Sequence, residues 1–233
     1  MLNQLKKDLQ KLANPEKAKL LSGFFRTGKG QYGEDDIFLG IVVPDQRKTA
    51  KKYPELQLNE IQELLSNKIH EYRLTSLFIL ISKFERGNNK LKKEIFEFYL
   101  QNAKNINNWD LVDLSAPKIP GAYILDNPKE KKILYKLAES KNLWEKRIAI
   151  LSTYTFIKNH EFEDTLNISE ILLKDKHDLI HKAVGWMLRE IGKKDQKTEE
   201  KFLKKHCREM PRTMLRYAIE KFQKNKKEFY MKK

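Results

Sequence analysis

In this 233-residue chain, the tryptophan at position 186 has neighbours that indicate a functional residue. A helical wheel over positions 177–193, at about 100° per residue, groups five apolar side chains within about 60° of one direction: Ile180, Val184, Met187, Leu188 and Ile191. Trp186 falls about 160° away from that stripe, on the side that carries Lys182, Arg189 and Lys193. A tryptophan among cations is either buried by the next helix or exposed to stack on a ligand, and the pattern favours ligand contact.

A second candidate lies where an aromatic ring and a carboxylate are four residues apart. Asn107 or Asn108 can cap a short helix that ends before Pro117. On this helix Trp109 and Asp113 share the side opposite its two leucines. The spacing leaves two interpretations open, a shared functional face or a surface aspartate beside a tryptophan that is buried elsewhere.

Arg147 lies in a segment that is apolar on both sides of the helical wheel. A cation in that position must be paired or must open onto a cavity that accepts an anion. A carboxylate such as Asp113 or a phosphate could satisfy it, and pairing within the structure is the more usual solution.

Three further patterns are weaker. Residues 28–33 match the dinucleotide-binding pattern G-x-G-x-x-G, but a helical pattern precedes them, whereas the dinucleotide-binding fold needs a strand there. A mobile loop, with Lys29 near a phosphate backbone, is therefore the favoured interpretation. His177 and His181 are four residues apart without a third ligand nearby, so no metal site is predicted. Cys207 is interpreted as a packed thiol.

The composition excludes several classes of protein. Lys and Arg number 47 against 32 Asp and Glu, a net charge of +15 that attracts polyanions and makes nucleic acid the leading partner. With 40% apolar residues the chain can bury a core, and its single cysteine excludes disulfide scaffolds and cysteine-based zinc fingers. No apolar run has the length of a signal peptide or a membrane span, so we expect a cytoplasmic protein without a membrane partner.

The hydrophobic spacing is helical almost throughout. Clusters of Asn, Gly and Pro separate segments of about 10–18 residues, and the one β-like run, 37–43, makes at most a small hairpin or arm. Helix pairs of about 35–45 residues predict an all-α fold, a superhelical α-solenoid of HEAT-like repeats, with a globular helical bundle as the alternative. We expect one domain over residues 1–225, followed by a basic tail over 226–233.

Four blocks of sequence, in this order, resemble the AlkD-type DNA alkylation repair glycosylases, and the likeness runs from about Gly28 to Phe222. The blocks are residues 32–48, with a gap at 41–42, then Trp109-Asp110-Leu111-Val112-Asp113, Arg147-Ile148-Ala149-Ile150-Leu151, and Lys182-Ala183-Val184-Gly185-Trp186-Met187-Leu188-Arg189-Glu190. The chain departs from some members at Asn108-Trp109, where they carry two tryptophans, and in having the glycine loop.

The resemblance implies HEAT-like repeats that curve around duplex DNA and an enzyme that excises 3-methyladenine and 7-methylguanine. Trp109, Asp113 and Trp186 match the catalytic positions of the family, and Arg147 matches an arginine at the same cleft. We expect a monomer that needs no metal or cofactor and binds double-stranded DNA containing alkylated purines. Six basic residues are expected to contact DNA: Arg147, Lys182, Arg189, Arg216, Arg47 and Lys29.

A mechanism follows from the chemistry of the lesion. Alkylation at N3 or N7 makes the purine a cationic leaving group, so the remaining barrier is the oxocarbenium-like sugar. A fixed anion beside C1′ stabilises that charge and aligns water, and Asp113 is the candidate. The tryptophans can present electron-rich faces to the cationic nucleotide, and Arg147 can hold a phosphate. The family resemblance also implies that capture can proceed without a base pocket.

Two other functions stay open at this level. A catalytically silent helical-repeat protein would bind duplex DNA and release no base. A protein-binding HEAT scaffold would show little salt-dependent affinity for DNA.

Overall fold

The computed structural model describes residues 1–232, and it confirms the prediction of an all-α protein. Within the described residues no strand forms, and the 37–43 run contributes only one parallel bridge, between Ile37 and Ile69. None of the described helices is long and apolar enough to cross a membrane. The chain divides into two compact units, Met1–Leu111 and a second that begins at Val112. The superhelical arrangement of repeats and the single domain over 1–225 stay predictions.

The helices of the first unit are α1 Leu2–Gln10, α2 Pro15–Phe24, α3 Val43–Ala50, α4 Leu58–Leu65, α5 His70–Arg86 and α6 Asn89–Gln101, and α7 Trp109–Ser115 crosses into the second unit. The core of this unit forms around α5, against which α3, α4 and α6 pack. Helix α5 is buried on nearly all sides because it lies between these neighbours.

The second unit contains α8 Ala122–Asp126, α9 Lys131–Ala138, α10 Leu143–Ser152, α11 Tyr154–Lys158, α12 Glu163–Leu172, α13 Asp178–Lys194, α14 Gln196–His206, α15 Arg212–Ala218 and α16 Lys224–Met231, with a π-helix at Pro117–Gly121 and 3-10 helices at Pro128–Glu130 and Ile219–Lys221. Helix α13 is central and packs on α10, α12, α14 and α15. The predicted apolar stripe of α13 is confirmed, because all five of its residues are fully buried. Helix α10 is buried on both sides, as predicted.

Asparagine side chains cap the starts of several helices, and one of them, Asn88, lies in a predicted break. Asn88 accepts a hydrogen bond from the Leu91 amide at the start of α6, and Asn142 accepts from the amides of Trp144 and Glu145 at the start of α10. Asparagine stabilises these positions because its side-chain oxygen satisfies amides that have no partner in the first turn.

The segment 226–233, predicted as a basic tail, is helical as far as Met231. Tyr230 of α16 is 3% exposed and its ring packs edge-on against Phe222, 5.9 Å away between ring centroids. A buried tyrosine anchors the helix to the second unit, which the run of lysines in the sequence does not indicate. Lys233 lies outside the described residues.

Candidate functional site

Helix α7 carries two of the three predicted catalytic residues. The Asn108 side chain, fully buried, accepts a hydrogen bond from the Trp109 amide at 2.8 Å, and the helix ends at Ser115, before Pro117, as predicted. Trp109 and Asp113 are both half-buried, whereas Leu111 between them is fully buried. The division between the two units falls after Leu111, so Trp109 belongs to the first unit and Asp113 to the second.

In the second unit, Asp113 forms a two-point ion pair with Arg147 of α10. Arg147 Nε donates to Asp113 Oδ1 at 2.8 Å, and Nη2 donates to Oδ2 at 2.7 Å. Arg147 Nη1 also donates to the carbonyl of Leu179, which precedes the central part of α13. The arginine side chain is 5% exposed and the aspartate side chain 18%. Of the two partners that the sequence left open for Arg147, the structure shows the carboxylate, and a phosphate contact stays a prediction.

Trp186, the third predicted catalytic residue, lies on α13 opposite the buried stripe. Its ring is half-buried, its Nε1 donates to Glu190 Oε1 at 3.0 Å, and its centroid is 6.1 Å from that of Tyr154. The ring is therefore outside the core of the second unit and has an accessible part, with one edge fixed by a carboxylate.

The cations predicted around Trp186 are each paired with a carboxylate. Lys193 Nζ lies 2.6 Å from Glu190 Oε1, and Lys182 Nζ lies 2.7 Å from Asp178 Oδ2. Arg189 pairs with Glu220 and lies 3.7 Å from Glu190. Each of these cations therefore has a neutralising partner, and the face is less positive than the helical wheel suggests. The helical wheel does not include Glu220, because this residue follows α15 and is distant in sequence from Arg189. Contact of Lys182 and Arg189 with DNA stays a prediction.

The other predicted DNA-contacting residues are exposed on their units. Arg216 lies on the outer side of α15 in the second unit. In the first unit, Arg47 places its guanidinium 4.1 Å from the centroid of the Phe78 ring, and Lys29 lies in the loop after α2. That loop follows a helix, as expected, and Gly30 adopts φ +76°, a conformation that glycine reaches without strain.

A buried charged cluster in the first unit was missed by the sequence analysis. His70, 2% exposed, contacts Asp110 Oδ2 through Nε2 at 2.8 Å and Asp36 Oδ2 through Nδ1 at 3.3 Å. Arg73 Nη2 lies 2.6 Å from Asp36 Oδ1. Burial by itself lowers the pKa of His70, but the Asp110 and Asp36 carboxylates outweigh it and raise the pKa to about 9. The signal was present as Asp110 beside Trp109 and Asp36 in a matched block.

The Trp109 ring is held by a stack of aromatic rings in the same unit. Its centroid is 5.2 Å from that of Phe25, at an interplanar angle of 22°. Phe25 stacks on Phe38 at 5.1 Å, and Phe38 stacks on His70 at 4.6 Å. The edge of the exposed Phe24 ring meets Trp109 at 5.8 Å. The stack and the charged cluster fix the orientation of this tryptophan.

The residues set aside in the sequence have structural roles. His177 caps α13 by accepting from the Leu179 amide, and His181 contacts the Asp175 carbonyl. Cys207 is a buried free thiol, as predicted. Among residues 1–232, no three His, Cys, Asp or Glu side chains are grouped as metal ligands would be.

Comparison with known proteins assigns the chain to a family. The family model described as "DNA alkylation repair enzyme" matches residues 5–222. The fold is similar to that of a solved structure described as "Predicted DNA alkylation repair enzyme from Enterococcus faecalis", with a TM-score of 0.73 and 19% sequence identity over 91% of this chain and 97% of that chain. No curated protein matches the sequence. Because the family model covers nearly the whole chain, this protein belongs to the DNA alkylation repair enzyme family.

Proposed function

We propose that this protein is a DNA glycosylase that hydrolyses the N-glycosidic bond of cationic N3- and N7-alkylated purines, 3-methyladenine and 7-methylguanine, in duplex DNA. Membership of the DNA alkylation repair enzyme family supports the class of substrate. The observation that carries the proposal is the Asp113 carboxylate, which Arg147 orients at both oxygens while part of it stays accessible.

The chemistry needs one well-placed anion. The alkylated base already carries a positive charge and leaves without a strong acid, so the costly feature of the transition state is the cationic sugar. A carboxylate that is fixed before the reaction stabilises that charge without reorganising, and it can orient the water that attacks C1′. In this proposal Asp113 is that carboxylate, and Arg147 is a positioning residue that holds it.

Each of the two tryptophans, matched to a catalytic position by the family resemblance, can attract a positive charge. An aromatic face near a cation contributes about 0.5–2 kcal/mol for each well-placed contact. Trp109 is oriented by its stack on Phe25, and Trp186 by its hydrogen bond to Glu190. We assign both rings to contact with the damaged nucleotide. Arg216, Arg47 and Lys29 are exposed cations that would meet phosphates.

The test is single-turnover release of 7-methylguanine and 3-methyladenine from methylated duplex, followed by chromatography. We expect release by the wild type, and a loss of about 10²–10³ in rate for Asp113→Asn, typical of losing one preorganised electrostatic interaction. Asp126→Asn is the matched control, since it makes the same change at an exposed position of the second unit.

Three outcomes would contradict the proposal. Release at the wild-type rate by Asp113→Asn would show that another group is the catalytic carboxylate. Duplex binding without release by the wild type would identify a DNA-binding protein that has no glycosylase activity, and a flat salt response would instead favour a protein-binding scaffold.

A further inference from the structure

Asp36 lies in the first of the four matched blocks, yet the proposed mechanism gives it no role. Its side chain is 3% exposed in the first unit. Its Oδ2 accepts a hydrogen bond from Asn108 Nδ2 at 3.3 Å, and Asn108 Oδ1 in turn accepts from the Trp109 amide at 2.8 Å. Asp36 therefore holds the residue that comes directly before Trp109.

His70 holds the residue that comes directly after Trp109. Its Nε2 lies 2.8 Å from Asp110 Oδ2, and its Nδ1 lies 3.3 Å from Asp36 Oδ2. The other oxygen of Asp110, Oδ1, is buried and meets no hydrogen-bond partner among residues 1–232, so the contact with the imidazole fixes this side chain. Asp36 and His70 together thus hold both neighbours of the tryptophan.

A second connection between His70 and Trp109 runs through aromatic rings. The centroid of the imidazole is 4.6 Å from that of Phe38 and 5.0 Å from that of Phe25. Phe25 in turn stacks on Trp109 at 5.2 Å. A charged imidazolium is attracted to aromatic faces, whereas a neutral imidazole lacks that charge. The tryptophan ring and the start of its helix are therefore both connected to one histidine.

The two carboxylates that flank His70 require its protonated form. An imidazolium donates from both nitrogens, whereas a neutral imidazole donates from one and presents a lone pair at the other. With the proton on Nδ1, a lone pair at Nε2 faces Asp110. With the proton on Nε2, the lone pair at Nδ1 faces Arg73 Nη2, 3.4 Å away, and Asp36 loses a donor. In either tautomer, loss of the second proton weakens the hold on one neighbour of Trp109.

The balance of charge in this cluster leads to the same conclusion. Arg73 and a charged His70 offset Asp36 and Asp110, so the four side chains are neutral together only while His70 is protonated. Burial by itself raises the pKa of Asp36, but His70 and Arg73 outweigh it and lower the pKa. Loss of the His70 proton would leave one uncompensated negative charge in buried surroundings, which is costly.

Two further charged groups lie near His70 and offset one another. Glu71 and the exposed Lys17 line the same cavity of the first unit as His70 does. Glu71 is 1% exposed, and its carboxylate accepts hydrogen bonds from the backbone amides of residues 39–41. Because the charges of Glu71 and Lys17 are opposite, they leave the balance of the cluster unchanged.

We propose that Asp36 and His70 are positioning residues for Trp109 in base release, and that they hold the tryptophan in place only while His70 carries both of its protons. The inference rests on the proposed function for the role of the Trp109 ring, whereas the connection between this ring and the imidazole follows from the contacts of the first unit. In this proposal neither residue touches the damaged nucleotide.

The first test follows Trp109 directly and needs no DNA. The whole protein is labelled with 5-fluorotryptophan, and the fluorine NMR signal of Trp109 is assigned by its loss in Trp109→Phe. In a titration from neutral to alkaline pH, this signal should move with a midpoint of about 9, the pKa of His70. The signal of Trp144, buried in the second unit, should stay still. A Trp109 signal that does not move would overturn the inference.

Three substitutions assign the titration to this cluster. His70→Gln should abolish the movement of the Trp109 signal, because glutamine does not titrate. Asp110→Asn should lower the midpoint, since Asp110 contributes most to raising the pKa of His70 against the lowering effect of burial. Asp45→Asn makes the same change at an exposed position of the first unit and should leave the midpoint unchanged.

Two results would assign the movement to another group and overturn the inference. One is a titration of His70→Gln that matches the wild type, and the other is an unchanged midpoint in Asp110→Asn. The wild-type and Asp110→Asn titrations decide the question even if His70→Gln does not fold.

Single-turnover release of 7-methylguanine tests the connection to function. Rates measured over a range of protein concentrations separate the maximal rate from the affinity for the duplex. His70→Gln should lower the maximal rate roughly tenfold at neutral pH, the size of one well-placed cation–π contact, and leave duplex affinity unchanged. In Trp109→Ala, the further change His70→Gln should have no effect, because His70 acts through that ring. An unchanged maximal rate, or full additivity of the two changes, would overturn the positioning role.

The two tests separate this inference from the proposed function. If the wild type releases no base, the glycosylase proposal fails, and the fluorine titration alone decides whether His70 holds Trp109. If the wild type releases base while the Trp109 signal does not titrate, the glycosylase proposal stands and this inference fails.

Discussion

Arg147 binds both carboxylate oxygens of Asp113 from a position that is only 4% exposed. The two residues are 34 positions apart, on α10 and α7. A buried guanidinium needs a fixed anion, and a fixed anion is what the proposed transition state needs, so one contact serves both requirements.

Two substitutions of Arg147 should distinguish the effect of its positive charge from the effect of its two-point contact with Asp113. Arg147→Gln leaves Asp113 without its cation, and breaking such a buried pair typically costs about 3–5 kcal/mol in the free energy of unfolding. Arg147→Lys keeps the charge but not the two-point geometry, so it should destabilise less while still slowing base release. The measurements are denaturant unfolding and single-turnover release. If Arg147→Lys released base at the wild-type rate, orientation by the guanidinium would be unimportant.

Trp186 and Trp144 form a matched pair for testing whether a tryptophan is functional. Trp144 is 7% exposed in the core of the second unit, and Trp144→Ala should cost about 3–5 kcal/mol of stability. Trp186→Ala should change the thermal midpoint little, because the ring is half-buried and outside the apolar stripe. It should slow base release by the loss of stacking, about 1–3 kcal/mol. A large loss of stability in Trp186→Ala would instead identify a core residue.

The salt dependence of duplex binding should be steep. Each neutralised phosphate contributes about −0.9 to the slope of log K against log salt, so several contacts predict a slope beyond about −3. Arg216→Ala should reduce the slope by about one unit if this exposed arginine meets a phosphate. Arg189→Ala should reduce it less, because Glu190 and Glu220 already face that guanidinium. Equal effects of the two changes would show that DNA displaces those carboxylates.

Glu199 makes stability depend on pH. This residue is 1% exposed, and its Oε1 has no hydrogen-bond partner. Burial raises its pKa from 4.5 to about 8; the nearby Glu200 carboxylate also raises the pKa, and Arg189 lowers it. The folded state therefore binds more protons than the unfolded state between these values, so stability falls as pH rises from about 4.5 to 8. Glu199→Gln should be more stable than the wild type at about pH 8 and equal to it near pH 4.5. Parallel pH profiles would disprove this assignment.

His70 should also make stability depend on pH, over a higher pH range than Glu199. Its pKa in the folded protein is about 9 against an ordinary 6.5, so its stabilising charge is fully present below pH 6.5 and is lost as pH rises to about 9. An NMR titration of the imidazole should show a midpoint well above 7. His70→Gln should remove the decline in unfolding free energy between those values, and its persistence in the variant would assign the decline to another group.

Helical periodicity alone established much of this molecule. The buried stripe of α13, the position of Trp186 opposite to it, and the short α7 that carries Trp109 and Asp113 all follow from side-chain spacing, because neighbours three or four residues apart share a helix face whatever the tertiary packing. The four matched blocks identified the family, which the comparison confirmed. Side-chain spacing did not reveal how the end of the chain packs: the basic stretch 226–233 was predicted as a tail. The contact of Tyr230 with Phe222 depends on the packing of α16, which spacing within one helix does not specify.

Contacts between distant segments were decided only by the tertiary structure. The sequence required a partner for Arg147 without selecting it, and the folded second unit places Asp113 within hydrogen-bond distance of it. The cluster of His70 with Asp110, 40 positions away, and the pairing of Arg189 with Glu220, 31 positions away, have no periodic signal in the sequence. The physical reason is that a buried charge is satisfied by whichever opposite charge the packed helices bring within hydrogen-bond distance, and that choice belongs to the arrangement of the helices and not to any one of them.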